Sequence, residues 1–317
     1  MRPENSLTRR QALRGTLAAA AGLAAARVLA AGEPGPEESS HPAIDAHVHV
    51  WTPDVESYPL AEGFTKRDMQ PPSFTPEQLL AEARPAGVHR IVLIQMNFYG
   101  FDNSFMLDSM RRFPGTFSGV AVVDEHAGEL AETMSALKQQ GVRGFRIHPG
   151  QQAVEPWLST PGMKSMWRIG ADQRLAMCGL VNPNALRPLD AMCQRYPDTP
   201  VVIDHFGRIG IDGKIRETDL DNLCRLARHP NTHVKVSAFY ALGKKQAPYT
   251  DLGPMIRRLV DAFTPQRLMW ATDCPYQVQQ GHTYRDSVEL IRSRLDFLSD
   301  DDREWILRKT AKRVFFN

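Results

Sequence analysis

Cysteine is scarce in this chain: 317 residues hold four, Cys178, Cys193, Cys224 and Cys274, and no two form a CxxC pair. That excludes a disulfide scaffold. Net charge is almost absent as well, with 38 Lys+Arg against 36 Asp+Glu, a formal +2. The cations are scattered, so a basic surface for nucleic acid is excluded. No GxGxxG follows an early strand, which removes the usual dinucleotide signature. Beyond the first thirty residues no apolar run is long enough to span a bilayer, and no segment repeats at a period of about 20 to 50 residues.

What charge there is has been placed unevenly. Residues 1–30 hold five cations and one anion, which leaves a body of 33 cations and 35 anions, net −2. The opening reads SLTRRQALRG and then TLAAAAGLAAARVLAAG. A charged stretch, an Ala/Leu/Gly run and small residues near Ala30 and Ala31 are the layout of an export leader. Arg9-Arg10, preceded by Ser6 and Thr8, matches a twin-arginine signal. Arg27 interrupts the apolar run, which argues against a lasting membrane anchor. The expectation is a signal peptide over 1–31, a Pro/Gly/Ser/Glu-rich tether over 32–42 and one domain over 43–317. Delivery would be to the periplasm or another extracytoplasmic space, with no stable membrane insertion after cleavage. A chain folded in the cytoplasm before such export meets reducing conditions first, so the four cysteines are expected as free thiols.

From Ala43 onward, short apolar runs alternate with amphipathic stretches. The runs are AIDAHVHV (43–50), RIVLIQM (90–96), FSGVAVV (117–123), VRGFRIH (142–148), RLAMCGLV (174–181), VVIDH (201–205), HVKVSAF (233–239) and RLMWAT (267–272). Nearly continuous apolar character predicts parallel strands buried on both faces. Between them, SFTPEQLLAEA offers Thr75 as an N-cap before Pro76, and NPNALRPLDAMCQRYP and TDLDNLCRLARHP carry helical spacing. Eight strands alternating with helices predict a single-domain α/β fold, a (β/α)8 TIM barrel. The C-terminal DDREWILRKTAKRVFF reads as a helix packing Trp305, Ile306, Leu307 and Phe315 on the barrel wall.

In such a barrel, chemistry belongs at the C-terminal ends of the strands. The first run ends in Asp45-Ala-His47-Val-His49, and strand periodicity puts these three on one face. Paired imidazoles in a barrel are costly unless they meet a metal, a substrate or an acid. The sixth run ends in Asp204-His205 and the eighth leads to Asp273. His126, His229, His233 and His282 fall elsewhere and are expected to be solvated. Arg146, inside an apolar strand, either pairs with Asp45 or Asp124 or clamps a substrate oxygen. Arg208, Gln95, Asn97, Tyr99 and Tyr240 follow strands and would line the mouth. Trp51 and Tyr58 lie in a proline-containing stretch, 51–73, that suits a lid.

IDAHVHVW, GVRGFRIHP, VVIDHFGR and LMWATDCPY resemble the strand-end motifs of the amidohydrolase superfamily, in its amidohydrolase-2, metal-dependent TIM-barrel group. Their wording is most similar to the lactonases that open sugar lactones, pyrone dicarboxylates and sulfomuconolactones, and the likeness runs from about Ile44 to Phe315. It implies an attacking water, with Asp273 as general base and His205 as a catalytic partner. It implies Arg146, Arg208, Gln95 and Tyr240 as substrate-binding groups for a small lactone or carboxylate. His47, His49, His205 and Asp273 could hold one divalent metal, zinc; a metal-free mechanism stays equally open. The fifth strand lacks the histidine of mononuclear members, reading Leu175-Ala-Met177-Cys178, and the fourth offers no bridging Lys or Glu. A binuclear site is therefore disfavoured, and Cys178 is left as filler or as a substitute ligand. The alternative reaction on the same barrel is non-oxidative decarboxylation of an aromatic or unsaturated acid. A non-catalytic binder of a carbohydrate acid has little need of a base beside paired imidazoles.

Overall fold

The computed structural model describes residues 42–150 and 152–317; the leader and all but the last residue of the tether lie outside them. Each apolar run folds as a strand: β1 Ala43–Val48, β2 Val88–Ile94, β3 Phe117–Ala121, β4 Val142–Ile147, β5 Ala176–Gly179, β6 Val201–Ile203, β7 Thr232–Val236 and β8 Leu268–Trp270. Neighbours pair in parallel and in sequence order from β1 to β8. Closure between β8 and β1 occurs just past the strand ends. A parallel bridge joins Val48 to Cys274, the Asp273 amide donates to the His47 carbonyl (2.9 Å), and the His49 amide donates to that of Cys274 (2.8 Å). The expected barrel is thereby nearly closed, and its seam falls at two of the functional strands.

Burial on both faces sorts the strand side chains into two apolar layers. Ile44, Val92, Val120, Cys178, Val202 and Met269 fill the lumen, while Leu93, Phe145, Ile203, Val234 and Trp270 face the helices. Thr75 caps the helix Pro76–Ala83 in a reciprocal box with Gln78, as its sequence predicts. The C-terminal helix Thr310–Phe315 does more than cover the wall. Ala311 and Phe315 join the lumen cluster, and the Asn317 carbonyl accepts from Arg143 of β4, so this segment plugs the barrel floor. All four cysteines are free thiols. Among the described residues no helix is long and apolar enough to cross a membrane.

Candidate active site

The strand periodicity that grouped Asp45 with His47 and His49 is broken. Three steps along β1, Asp45 to Val48, pair with only two along β2, Ile91 to Leu93. This β-bulge re-aims the following side chains. Ile44 and Ala46 belong to the lumen layer, and His47 follows them inward, whereas Asp45 turns to the seam. There its carboxylate accepts from the amides of His47 (3.1 Å) and Thr272 (3.0 Å), and from the hydroxyls of Thr272 and Tyr284 (2.6 Å). Burial outweighs those bonds and raises its pKa to about 6. Asp45 is a strut between β1, β8 and the helix Tyr284–Glu289, with no part in the mouth.

His47, His49 and Asp273 meet instead. His47 Nε2 lies 3.3 Å from His49 Nε2 and 3.4 Å from Asp273 Oδ1, and His49 Nε2 lies 3.3 Å from the same oxygen. The proton on His49 sits on Nδ1, which donates to the Ile94 carbonyl (2.8 Å), so its Nε2 lone pair faces the triangle. Arg146 Nη2 donates to His47 Nε2 (3.0 Å), which makes that atom an acceptor too. Asp273 Oδ1 is buried with no hydrogen-bond donor. Three lone pairs therefore converge on one point, an arrangement that calls for a cation or a proton donor. Ligands about a tetrahedral zinc at roughly 2.0–2.1 Å stand about 3.3 Å apart. The triangle fits that edge, and the Arg146 bond would give way to the metal. His205 stands beside the triangle rather than in it: its Nε2 is 3.7 Å from Asp273 Oδ1 and its Nδ1 is bonded to Ser237 Oγ at 2.8 Å.

The backbone here is unusual. His205, Phe206, Gly207 and Arg208 all have φ between 52° and 60°, and Asp273 has φ 70°. For non-glycine residues such a run costs energy and clusters at functional sites. It carries His205 and Arg208 out of β6 toward the mouth. Burial by itself would raise the Asp273 pKa, but His205 beside it holds the carboxyl below its ordinary range. The Tyr240 hydroxyl donates to Asp273 Oδ2 (2.7 Å), so this tyrosine holds the acid, which its expected substrate-binding role did not foresee.

Beneath the triangle lies a group the sequence reading passed over. Lys235 of β7 is fully buried, with Nζ 2.9 Å from Asp204 Oδ1 and 3.2 Å from His47 Nδ1, and its ammonium stands 5.5 Å from the Phe315 ring. Asp204 also faces His47 Nδ1 (3.4 Å) and Arg146 (3.6 Å). Arg146 thus pairs with Asp204, not with Asp45 or Asp124. Burial opposes ionisation of Asp204, yet Lys235 and then His47 and Arg146 hold it well below the ordinary value. Burial and Lys235 likewise keep His47 neutral. The signal was a lysine between the two valines of HVKV, two residues before Ser237 and so on the same face of the strand.

A cavity of about 570 Å³ opens above the triangle, and His49, Gln95, Asn97, Arg146, His205, Arg208, Tyr240, Asp273 and Tyr276 reach it. Of the residues expected at the mouth, His47 and Tyr99 do not line it, and His47 lies just below. Gln95 spends its amide on the Asp102 carbonyl. Tyr99 and the expected lid do not line the cavity. Trp51 is buried with its indole N–H on the Pro71 carbonyl (2.8 Å), and Tyr58 donates to Asp108 (2.6 Å), so stretch 51–73 is tied to the barrel side. Three histidines expected in solvent have partners or burial: His229 meets Asp190 (2.8 Å), His282 accepts from Tyr249 (2.7 Å), and His233 is buried at the barrel floor. Cys178 is filler. It is buried in the lumen, a Cβ on neighbouring Gly144 would come within 3.1 Å of its sulfur, and burial pushes its thiol up to about 12.

An α/β barrel with two histidines from its first strand and an aspartate from its last, converging at the C-terminal mouth, defines a water-activating barrel hydrolase. Residues 44–316 match the family model described as "Amidohydrolase", and the chain belongs to that family. It is 30% identical over 246 residues to the L-fucono-1,5-lactonase of Burkholderia ambifaria, covering 75% of this chain and 82% of that protein. It is 30% identical over 257 residues to the 2-pyrone-4,6-dicarboxylate hydrolase of Comamonas testosteroni, covering 78% and 81%. A Burkholderia multivorans amidohydrolase solved with bound zinc superposes with a TM-score of 0.72 at 21% identity, over 87% of this chain and 99% of that one.

Proposed function

We propose that the protein is a lactonase, opening a cyclic ester by attack of water on the acyl carbon. One observation carries the reading: Asp273 presents a buried oxygen without a donor, Oδ1, beside two imidazole lone pairs, while Tyr240 holds its other oxygen. A water at that point donates to Oδ1 as its oxygen bonds to the carbonyl carbon. The carbonyl oxygen gathers charge, and the N–H groups of Arg146 stand where they can offset it. Collapse breaks the ring C–O bond, and Asp273 returns its proton to the departing alkoxide. The product is a hydroxy acid, whose ionisation releases one proton per turnover. A divalent metal held by His47, His49 and Asp273 would lower the pKa of the water and polarise the carbonyl. Arg208 is half-buried at the mouth with no carboxylate partner among the described residues, and it supports an anionic substituent on the substrate.

Proton release from a lactone panel, followed in a pH-stat with purified protein, tests the reading. Stoichiometric acid production upholds it. Carbon dioxide from aromatic acids with no lactone opened would replace it with decarboxylation. The leader supports export of the folded chain to an extracytoplasmic space, which the paired Arg9→Lys and Arg10→Lys substitutions would block.

A further inference from the structure

The cavity lining holds two unlike sets of side chains, and the reaction uses only one. His49, Arg146, His205, Tyr240 and Asp273 are the reacting, polar set. The lining also includes Phe101, Trp157, Met163, Met166, Leu180 and Ile211. Two of these are telling. Among the described residues only Phe101 (57% exposed) and Ile211 (37%) are large hydrophobic side chains left in solvent, and both stand on the rim of this one cavity. Exposed apolar groups gathered at a pocket mouth mark a binding surface. They come from the segments after β2 and β6, so they flank the opening from separate strands.

Part of the polar lining is already engaged: Gln95 by the Asp102 carbonyl, Tyr240 by Asp273, and His148 Nδ1 by the Leu180 carbonyl (2.8 Å), while Asn97, Glu125, Gln152 and Tyr276 remain in it. A polyhydroxylated lactone would still set hydroxyls against Trp157, Met163, Met166 and Leu180, which cannot receive them, and that is costly. Cationic capacity is also limited. Arg146 is paired with Asp204, which leaves Arg208 as the lining arginine without an acidic partner among the described residues. One free cation matches one anionic group.

Resting on the lactonase reading, we propose that the substrate is a singly charged lactone that bears a bulky apolar substituent, alkyl or aryl. Its carboxylate pairs with Arg208, and its apolar group lies against Met163, Met166 and Trp157 under the rim of Phe101 and Ile211. The preferred substrate then differs from both a sugar lactone and a dicarboxylate.

Steady-state rates of the wild-type chain on four probes test this: γ-phenylparaconic acid (one carboxylate, one phenyl), unsubstituted paraconic acid, L-fucono-1,5-lactone and 2-pyrone-4,6-dicarboxylate. The expected kcat/KM for γ-phenylparaconate exceeds that of each of the others by at least about 10-fold, the scale of burying a small apolar group in a fitted pocket. Arg208→Gln should lower kcat/KM on γ-phenylparaconate at least about 10-fold more than on neutral γ-phenyl-γ-butyrolactone, and an equal loss on both would overturn the pairing of Arg208 with the carboxylate. A preference for fuconolactone or for the dicarboxylate overturns the inference and leaves the lactonase reading standing. Failure to open any of the lactones overturns that reading and the inference with it.

Discussion

Tyr240→Phe separates two roles for one side chain. If Tyr240 contacts substrate, its loss raises KM. If it holds Asp273, kcat falls and KM stays. The structure places its hydroxyl 2.7 Å from Asp273 Oδ2, a hydrogen bond to an ionised acceptor. Such bonds contribute about 1.5–3 kcal/mol, so the predicted loss in kcat is roughly 10- to 150-fold. Phenylalanine keeps the ring and its packing near Tyr276 and His282, so no cavity is created and the fold should persist. The pH profile gives a second readout. Asp273 is held below the ordinary carboxylate range, and its base form, present above its folded pKa, is lost as pH falls through that value. Removing a bond that favours the ionised form raises the pKa, so the acid limb of the rate profile moves to higher pH. Lactone consumption followed by chromatography under saturating substrate from about pH 2 to 8 spans the region below the ordinary aspartate value of about 3.9. An unchanged kcat with a raised KM and an unmoved limb would refute the positioning role.

Asp273→Asn should fold, because asparagine tolerates φ near 70°, and should lose at least about 10²-fold in kcat; retained activity would remove Asp273 as the base. Lys235→Met leaves Asp204 short of its nearest counter-charge in a fully buried site, and denaturant unfolding should show a loss of about 3–5 kcal/mol; an unshifted midpoint would mean that Arg146 and His47 suffice. Zinc titrated into chelator-treated protein should bind at one equivalent through His47, His49 and Asp273, and His49→Asn should abolish that heat; a second equivalent bound at a comparable site would contradict the single triangle.

The eight strands were legible because strands buried on both faces are nearly continuously apolar, and the helices between them favoured a barrel over an open sheet. The strand-end positions of His47, His49, His205 and Asp273 followed from the same reasoning. What escaped depended on departures from regular geometry or on distant pairing. The period-two rule assigned Asp45 to the wrong side because a bulge after it is not encoded in residue type. Tyr240 was placed at the mouth, but its bond to Asp273 joins the ends of two different strands. Phe315 looked like one more helix residue, and only the open barrel floor gives it a place in the lumen. Lys235 was visible in HVKV, yet its partners, Asp204 and His47, come from β6 and β1.

In the proposed reaction, water deprotonated by Asp273 attacks the acyl carbon of a lactone. Turnover in water enriched in oxygen-18, read by mass spectrometry of the product hydroxy acid, tests it most directly. One label per turnover should enter the new carboxylate and none the hydroxyl. Label in the hydroxyl, or a product shortened by loss of carbon dioxide, would contradict it.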